Sequence, residues 1–359
     1  MNKSSTIEKL YHEALSVLQE LIKVPSLSRQ EDKTAVILEK YFSDKNIPVE
    51  RVKNNLYAKN KNFAEGKKTI LLNSHHDTVS PNKNYTNDPF RPLIKDGKLF
   101  GLGCNDAGAP LVSLLAAFLY FYEKEIPVNI IFAASAEEEV SGKDGTELLL
   151  THLPKINMGI VGEPTQMKMA IAEKGLLVLD CEASGKAGHA ARDEGENAIY
   201  KAIKDIQWLE EFSFEKKSKW LGSVHKAVTS IETENKAHNV VPSSCRFVVD
   251  VRVNDLYSFE EILDILKSKM KSKINPRSMR LKPSFISENH PLVKSGKALG
   301  MEVFGSPTCS DMALMDFPAV KCGPGNSARS HTADEFVYLH EIKEGISLYV
   351  DWLEKLFEN

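Results

Sequence analysis

Three glutamates, Glu137, Glu138 and Glu139, follow one another in the stretch IFAASAEEEVSG, where an apolar run from Val128 to Ser135 ends. Charge runs are usually solvated loop faces. The residues before this one, however, read as a strand buried on both faces, and in open α/β proteins ligands bind outside the carboxyl ends of such strands. Four further clusters hold comparable positions. LLNSHHDTVSP carries His75 and Asp77, GLGCNDAGA carries Asp106 ahead of a long helix, VGEPT carries Glu163, and ARSHTADEF carries His331. Two histidines with several carboxylates and no thiolate partner suit a hydrolytic site for zinc, or for cobalt or manganese.

Spacing adds detail. His75 and Asp77 are two apart, so in an extended segment both side chains share a face. Asp77 can then hold the far nitrogen of His75, as a carboxylate holds a metal-ligating histidine. Glu138 and Glu139 are neighbours and cannot both address one point from the same strand face. One is free to coordinate while the other turns toward water as a general base.

These residues need a scaffold. Strand-like runs at Lys68 to Ser74, Val128 to Ser135 and Asn157 to Glu163 alternate with helical patterns such as Gly108 to Glu125. Such alternation predicts an α/β domain with a mainly parallel sheet flanked by helices. From about Lys174 the order becomes strand, helix, strand, strand, helix, strand, which predicts a small α+β module with an open antiparallel sheet. The α/β texture then resumes and closes in a helix from His340. The expectation is one catalytic domain from residues 1–173 and 288–359, with residues 174–287 inserted.

The chain has 359 residues, 42% of them hydrophobic, and a formal charge of −3, a composition that argues against a nucleic-acid partner. No segment is expected to approach a membrane span, and the N-terminus lacks the apolar stretch of a signal peptide. Five scattered cysteines without a CxxC pair fit reduced thiols and a cytoplasmic location. Cys309 in TCSD offers a thiol-enzyme alternative, but no histidine neighbours it in sequence.

The five clusters, in this order, resemble the motifs of the co-catalytic zinc amidohydrolases and peptidases, the family of acetylornithine deacetylase, succinyl-diaminopimelate desuccinylase, aminoacylase and the glutamate carboxypeptidases. The resemblance covers nearly the whole chain. It implies two divalent metal ions held by His75, Asp106, Glu139, Glu163 and His331, with Asp106 as the bridge, Asp77 as the orienter of His75 and Glu138 as general base. GLGCNDAGA departs from the family's G-R-G-x-x-D-x-K-G, with Leu102 in place of the arginine and no lysine. In the inserted domain, SGKAGHAARDEGENAI implies that His189 reaches the active site of a neighbouring subunit and polarises the scissile carbonyl, hence a homodimer formed through a lid and dimerisation domain. HNVVPSSCRFVVDVR implies Asn239 and Arg252 as substrate contacts, with Arg252 on a carboxylate, a task suited to its planar fork. The implied substrate is a small N-acyl amino acid. KCGPGNSARSHTADEF and SPTCSDMALM look most similar to the deacylases of N-acetylornithine or N-succinylornithine in arginine biosynthesis. Succinyl-diaminopimelate desuccinylase, a dipeptidase or aminoacylase, and a catalytically silent binding relative are the alternatives.

Overall fold

The structure is a computed structural model that describes residues 2–192 and 194–358. The chain divides into two compact units. The first comprises residues 1–171, 286–304 and 310–359, the second residues 172–285 and 305–309. The short return of residues 305–309 to the second unit has no counterpart in the sequence reading, because five residues are too few to carry a periodicity.

The first unit is built on a mixed sheet with a parallel centre. Thr69–His75 pairs in parallel with Asn129–Ser135 on one side and with Met158–Val161 on the other, and Met158–Val161 pairs in parallel with Ala319–Lys321. Antiparallel strands extend both flanks, Asn55–Lys59 beside Asn129–Ser135 and Met169–Glu173 beside Ala319–Lys321. Every residue of Thr69–His75 and Asn129–Ser135 is buried. Such strands read as continuous apolar runs because helices cover both faces of a parallel sheet. The covering helices are Lys3–Ile22, Asp32–Asp44, Ala109–Phe121 and Leu339–Phe357. The last presents Ile342, Ile346, Tyr349, Val350 and Leu353 as one buried stripe, the i, i+4, i+7 pattern of an amphipathic helix.

The segment Cys104–Phe121 corrects one expectation: by length and composition it could cross a membrane. It is 89% buried within the protein, and its apolarity on all sides is that of a core helix.

The second unit is a four-stranded antiparallel sheet in the order His225–Glu232, Ser244–Val253, Gly175–Ser184, Lys273–Pro276. Burial alternates along Gly175–Ser184 and Ser244–Val253. Leu177, Leu179, Phe247, Val249 and Val251 form one core with Ala202, Leu209, Ile262 and Leu266 of helices Ala198–Glu211 and Phe259–Lys269. Asn197 caps the first helix, and Ser258 with Glu261 forms a capping box on the second, which fixes where each begins.

Within the first unit, Asp106 sits in the wide turn Cys104–Gly108 that opens helix Ala109–Phe121, with non-helical angles (φ −120°, ψ 99°). Gly108 stands where the family motif has lysine. Its N–H donates to the Gly103 carbonyl at 2.9 Å. A Cβ there would meet that oxygen at 2.5 Å and Leu18 Cδ1 at 2.5 Å. Helix Lys3–Ile22 thus closes over the place a lysine side chain would leave from. Gly108→Ala should therefore lose about 1–3 kcal/mol of unfolding free energy through overpacking, measured by urea denaturation. Unchanged stability would show that the turn has room to spare.

Candidate metal centre

Asp106 faces two histidines at once. Its Oδ1 lies 3.3 Å from His75 Nε2, and its Oδ2 lies 3.7 Å from His331 Nε2. On the His75 side Glu163 Oε1 stands 3.9 Å from the same nitrogen. On the other side, Glu139 Oε2 is 3.0 Å from His331 Nε2. The donor atoms of His75, Asp106 and Glu139 lie within 4.8 Å of one another, as do those of His75, Glu138 and Glu163. The six residues come from five segments of the first unit, and the sheet places four of them, His75, Glu138, Glu139 and Glu163, at or just beyond its strand ends.

Each is fixed by its element. Strand Thr69–His75 ends at His75, and Asp77 lies just beyond it. His75 Nδ1 faces both the Asp77 carbonyl at 3.0 Å and Asp77 Oδ1 at 3.3 Å. A proton on Nδ1 leaves Nε2 as the nitrogen that could take a cation. Asp77 also accepts the backbone N–H of Glu138 (3.1 Å), that of Glu139 (3.1 Å) and the Ser28 hydroxyl (2.7 Å). Glu138 and Glu139 do not sit on a strand. They occupy a short 3-10 turn, Glu138–Val140, entered through Glu137 at φ 57°. His76 takes no part. Its Nδ1 meets Thr34 Oγ1 and its Nε2 donates to the Asn54 carbonyl, both at 2.9 Å.

Three carboxylates that the sequence reading passed over support these turns. Glu31, fully buried, accepts the Glu137 N–H at 3.2 Å and the Asn54 amide at 3.0 Å. Glu335 accepts the N–H groups of Gly103, Asn105 and Asp106. Asp311 accepts from Asn73, Ser135 and Thr146 at 2.9, 2.7 and 2.6 Å. Only Glu335 and Asp311 carried a signal in sequence, since both lie in stretches singled out for other reasons.

Electrostatics identifies what the site wants. Burial opposes the charged form of His75, yet Asp106, Asp77, Glu138 and Glu163 together hold its pKa well above the ordinary value. Burial pushes Glu138 well up and, with Asp106 beside it, takes Glu163 to about 8. The Glu139 hydrogen bond raises His331 to about 9. Burial also opposes ionised Asp77, but its bonds to His75 and Ser28 more than offset this and hold it low. Buried carboxylates crowded this closely call for cations, and a donor set of imidazole and carboxylate without thiolate fits divalent zinc, cobalt or manganese.

The remaining expected residues lie in the second unit. His189 belongs to a two-residue strand in register with Val240, its Nδ1 accepting the Ala191 N–H at 3.1 Å. Asn239 adjoins it, its carbonyl accepting the Ala190 N–H at 3.0 Å. Arg252 pairs bidentately with Asp250 through Nε and Nη2, at 2.8 and 3.1 Å.

Residues 71–355 match the model of peptidase family M20/M25/M40. The chain belongs to this family. It is similar to the succinyl-diaminopimelate desuccinylase of Wolbachia pipientis subsp. Culex pipiens (strain wPip), 26% identical over 329 residues and covering 84% of this chain and 82% of that one. It is likewise similar to the acetylornithine deacetylase of Buchnera aphidicola subsp. Schizaphis graminum (strain Sg), 26% identical over 359 residues and covering 92% and 94%. The fold matches the crystal structure of aminopeptidase PepT from Bacillus cereus ATCC 10987 with a TM-score of 0.76, at 19% identity, over 96% of this chain and 98% of that one. This family member is therefore a hydrolase, with the α/β fold expected from its sequence.

Without metal, His331 keeps its proton up to about pH 9 and Glu163 up to about pH 8, and a cation bound by these groups must displace both protons. Apparent zinc affinity should climb as pH rises through neutrality toward those values, with protons released to the buffer. Competition titration at several pH values measures it, and a pH-independent affinity would contradict the assignment.

Proposed function

We propose that the chain hydrolyses the amide bond of an N-acylated diamino acid, first of all N-acetyl- or N-succinyl-L-ornithine in arginine biosynthesis. The single observation that carries the reaction class is Glu138. It is a buried carboxylate whose backbone is tied to Asp77 and whose donor atom lies within 4.8 Å of those of His75 and Glu163. In this reading two divalent cations, zinc before cobalt or manganese, are held by His75, Asp106 and Glu163 and by Asp106, Glu139 and His331. When bound, they supply Lewis-acid activation of water and of the scissile carbonyl.

Glu138 takes the proton from the attacking water and returns it to the leaving amine, a role suited to a carboxylate with a raised pKa. Asp77 keeps His75 in the tautomer that presents Nε2. His189 donates to the developing oxyanion. Arg252 spends one edge of its guanidinium on Asp250, which leaves the Nη1 and Nη2 edge for a substrate carboxylate. Asn239, beside His189 on the same ribbon, adds a polar contact.

A homodimer through the inserted unit completes the reading, with His189 acting across the interface. Among the described residues the exposed strand His225–Glu232 pairs only with Ser244–Val253, and such an edge favours pairing with another chain. Residues 172–285 then serve as lid and dimerisation domain. Among the described residues the five cysteines form no disulfide, consistent with the reducing cytoplasm.

A second reading, desuccinylation of N-succinyl-diaminopimelate, is favoured by the similarity to the Wolbachia enzyme. Both candidate products are diamino acids. Parallel assays on N-acetylornithine, N-succinylornithine, N-succinyl-diaminopimelate and a dipeptide separate these readings, and turnover of none would refute the deacylase proposal. Glu138→Ala should keep its metal and lose at least about 10²–10⁴-fold in turnover. His189→Ala should lose about 10²–10³-fold. Mixing the two inactive variants under exchange conditions should restore one intact site per mixed dimer, and no recovery despite proven exchange would mean that His189 does not act across subunits.

A further inference from the structure

Asp106 and His331 hang from the same end of one small ribbon. Strand Lys98–Phe100 pairs antiparallel with Phe336–Tyr338, with Phe100 opposite Phe336. From Phe100 the chain runs forward through Gly101 to Asp106, and from Phe336 it runs backward through Glu335 to His331. Glu335 stands at this junction and is only 2% exposed. Its Oε1 accepts the N–H of Asn105 at 2.8 Å and of Asp106 at 3.0 Å, and its Oε2 accepts that of Gly103 at 3.1 Å. Its own carbonyl accepts the Gly101 N–H at 3.2 Å and the Cys104 thiol at 3.5 Å. One residue thus staples the whole turn that carries Asp106.

The choice of a carboxylate has a physical reason. Gly103 adopts φ 72°, and the turn aims three backbone donors at one buried point. A carboxyl group, with two acceptor oxygens on one short plane, answers all three, and a buried N–H left unmatched is rare. Four residues away His331 takes φ 59°, and its side chain is half-exposed. Asp334 anchors the same arch on its other side by accepting the N–H groups of Thr86 and Asn87, both at 3.0 Å. The Asp77 clamp serves His75, Glu138 and Glu139 and does not reach this arch, so the separation of Asp106 from His331 has its own support.

We propose that Glu335 is a positioning residue that sets Asp106 against His331 and thereby shapes the half of the metal centre these two residues share. The proposal rests on the two-cation reading of the site. Residues that orient metal ligands typically change metal affinity or activity by about 10–100-fold when removed.

The test is titration of the full-length protein with Co²⁺, followed by equilibrium dialysis and visible absorption, for the parent, Glu335→Ala and Glu335→Gln. Circular dichroism checks folding. The parent should bind two equivalents. Folded Glu335→Ala should bind the second about 10–100-fold more weakly, with shifted absorption bands and a fall in kcat at near-parental KM. Glu335→Gln should lie between, because its amide oxygen still accepts from Asn105 and Asp106 while its NH₂ opposes the Gly103 N–H. Parental affinity and spectrum in folded Glu335→Ala, or in Glu335→Gln if the alanine variant does not fold, would overturn the proposal. Failure of both variants to fold would overturn it too, by making Glu335 a folding determinant. A parent that binds one equivalent refutes the two-cation reading separately. In that case weakened single-site binding in the variant sustains the role of Glu335, and unchanged binding overturns it.

Discussion

The carboxylate of Asp77 is buried and ringed by donors, and both neighbouring turns take their positions from it. It faces His75 Nδ1 on one side and accepts two successive backbone N–H groups, of Glu138 and Glu139, on the other. The Ser28 hydroxyl completes the shell. A buried carboxylate is tolerable only if its oxygens are satisfied, so the group cannot move without exposing orphaned partners on both turns. The strand carrying His75 and the one leading to Glu138 are parallel neighbours in register, His75 opposite Ser135. Asp77 joins them just beyond the point where the ladder of backbone hydrogen bonds ends.

The same device recurs around the site. Glu31 holds the Glu137 N–H, and Glu335 holds three N–H groups of the Asp106 turn. Turns that must leave regular structure to present a side chain also leave backbone donors unpaired, and a buried unmatched donor costs about 1–3 kcal/mol. A buried acid answers several of them at once.

Much of this was legible in sequence. Continuous apolar runs marked the buried strands, and the acid and imidazole clusters at their ends pointed to His75, Glu138, Glu139 and Glu163, whose side chains the structure gathers. Alternation at Gly175–Ser184 gave the inserted sheet. The failures have physical causes. The strand ends at Ser135 as its sequence indicates, but the strand-face geometry used to separate Glu138 from Glu139 does not apply, because the chain turns through a left-handed Glu137 before reaching them. Glu31, in SRQEDK, looks like any solvated charge, because its partners Asn54 and Glu137 are distant in sequence. Glu335 was in view beside His331, but nothing local reveals that its partners lie some 230 residues earlier. Helix Ala109–Phe121 is apolar on every side because it is enclosed, a fact that hydropathy alone does not separate from a membrane span.

The central claim is that these turns build one centre for two cations with Asp106 between them and Glu138 left to act as base. Anomalous diffraction at the zinc edge from crystals of the zinc-loaded protein tests it most directly. The account expects two peaks, both contacted by Asp106, one also by His75 and Glu163, the other by Glu139 and His331, with Glu138 bound to neither. A single peak, or Glu138 among the ligands, would contradict it.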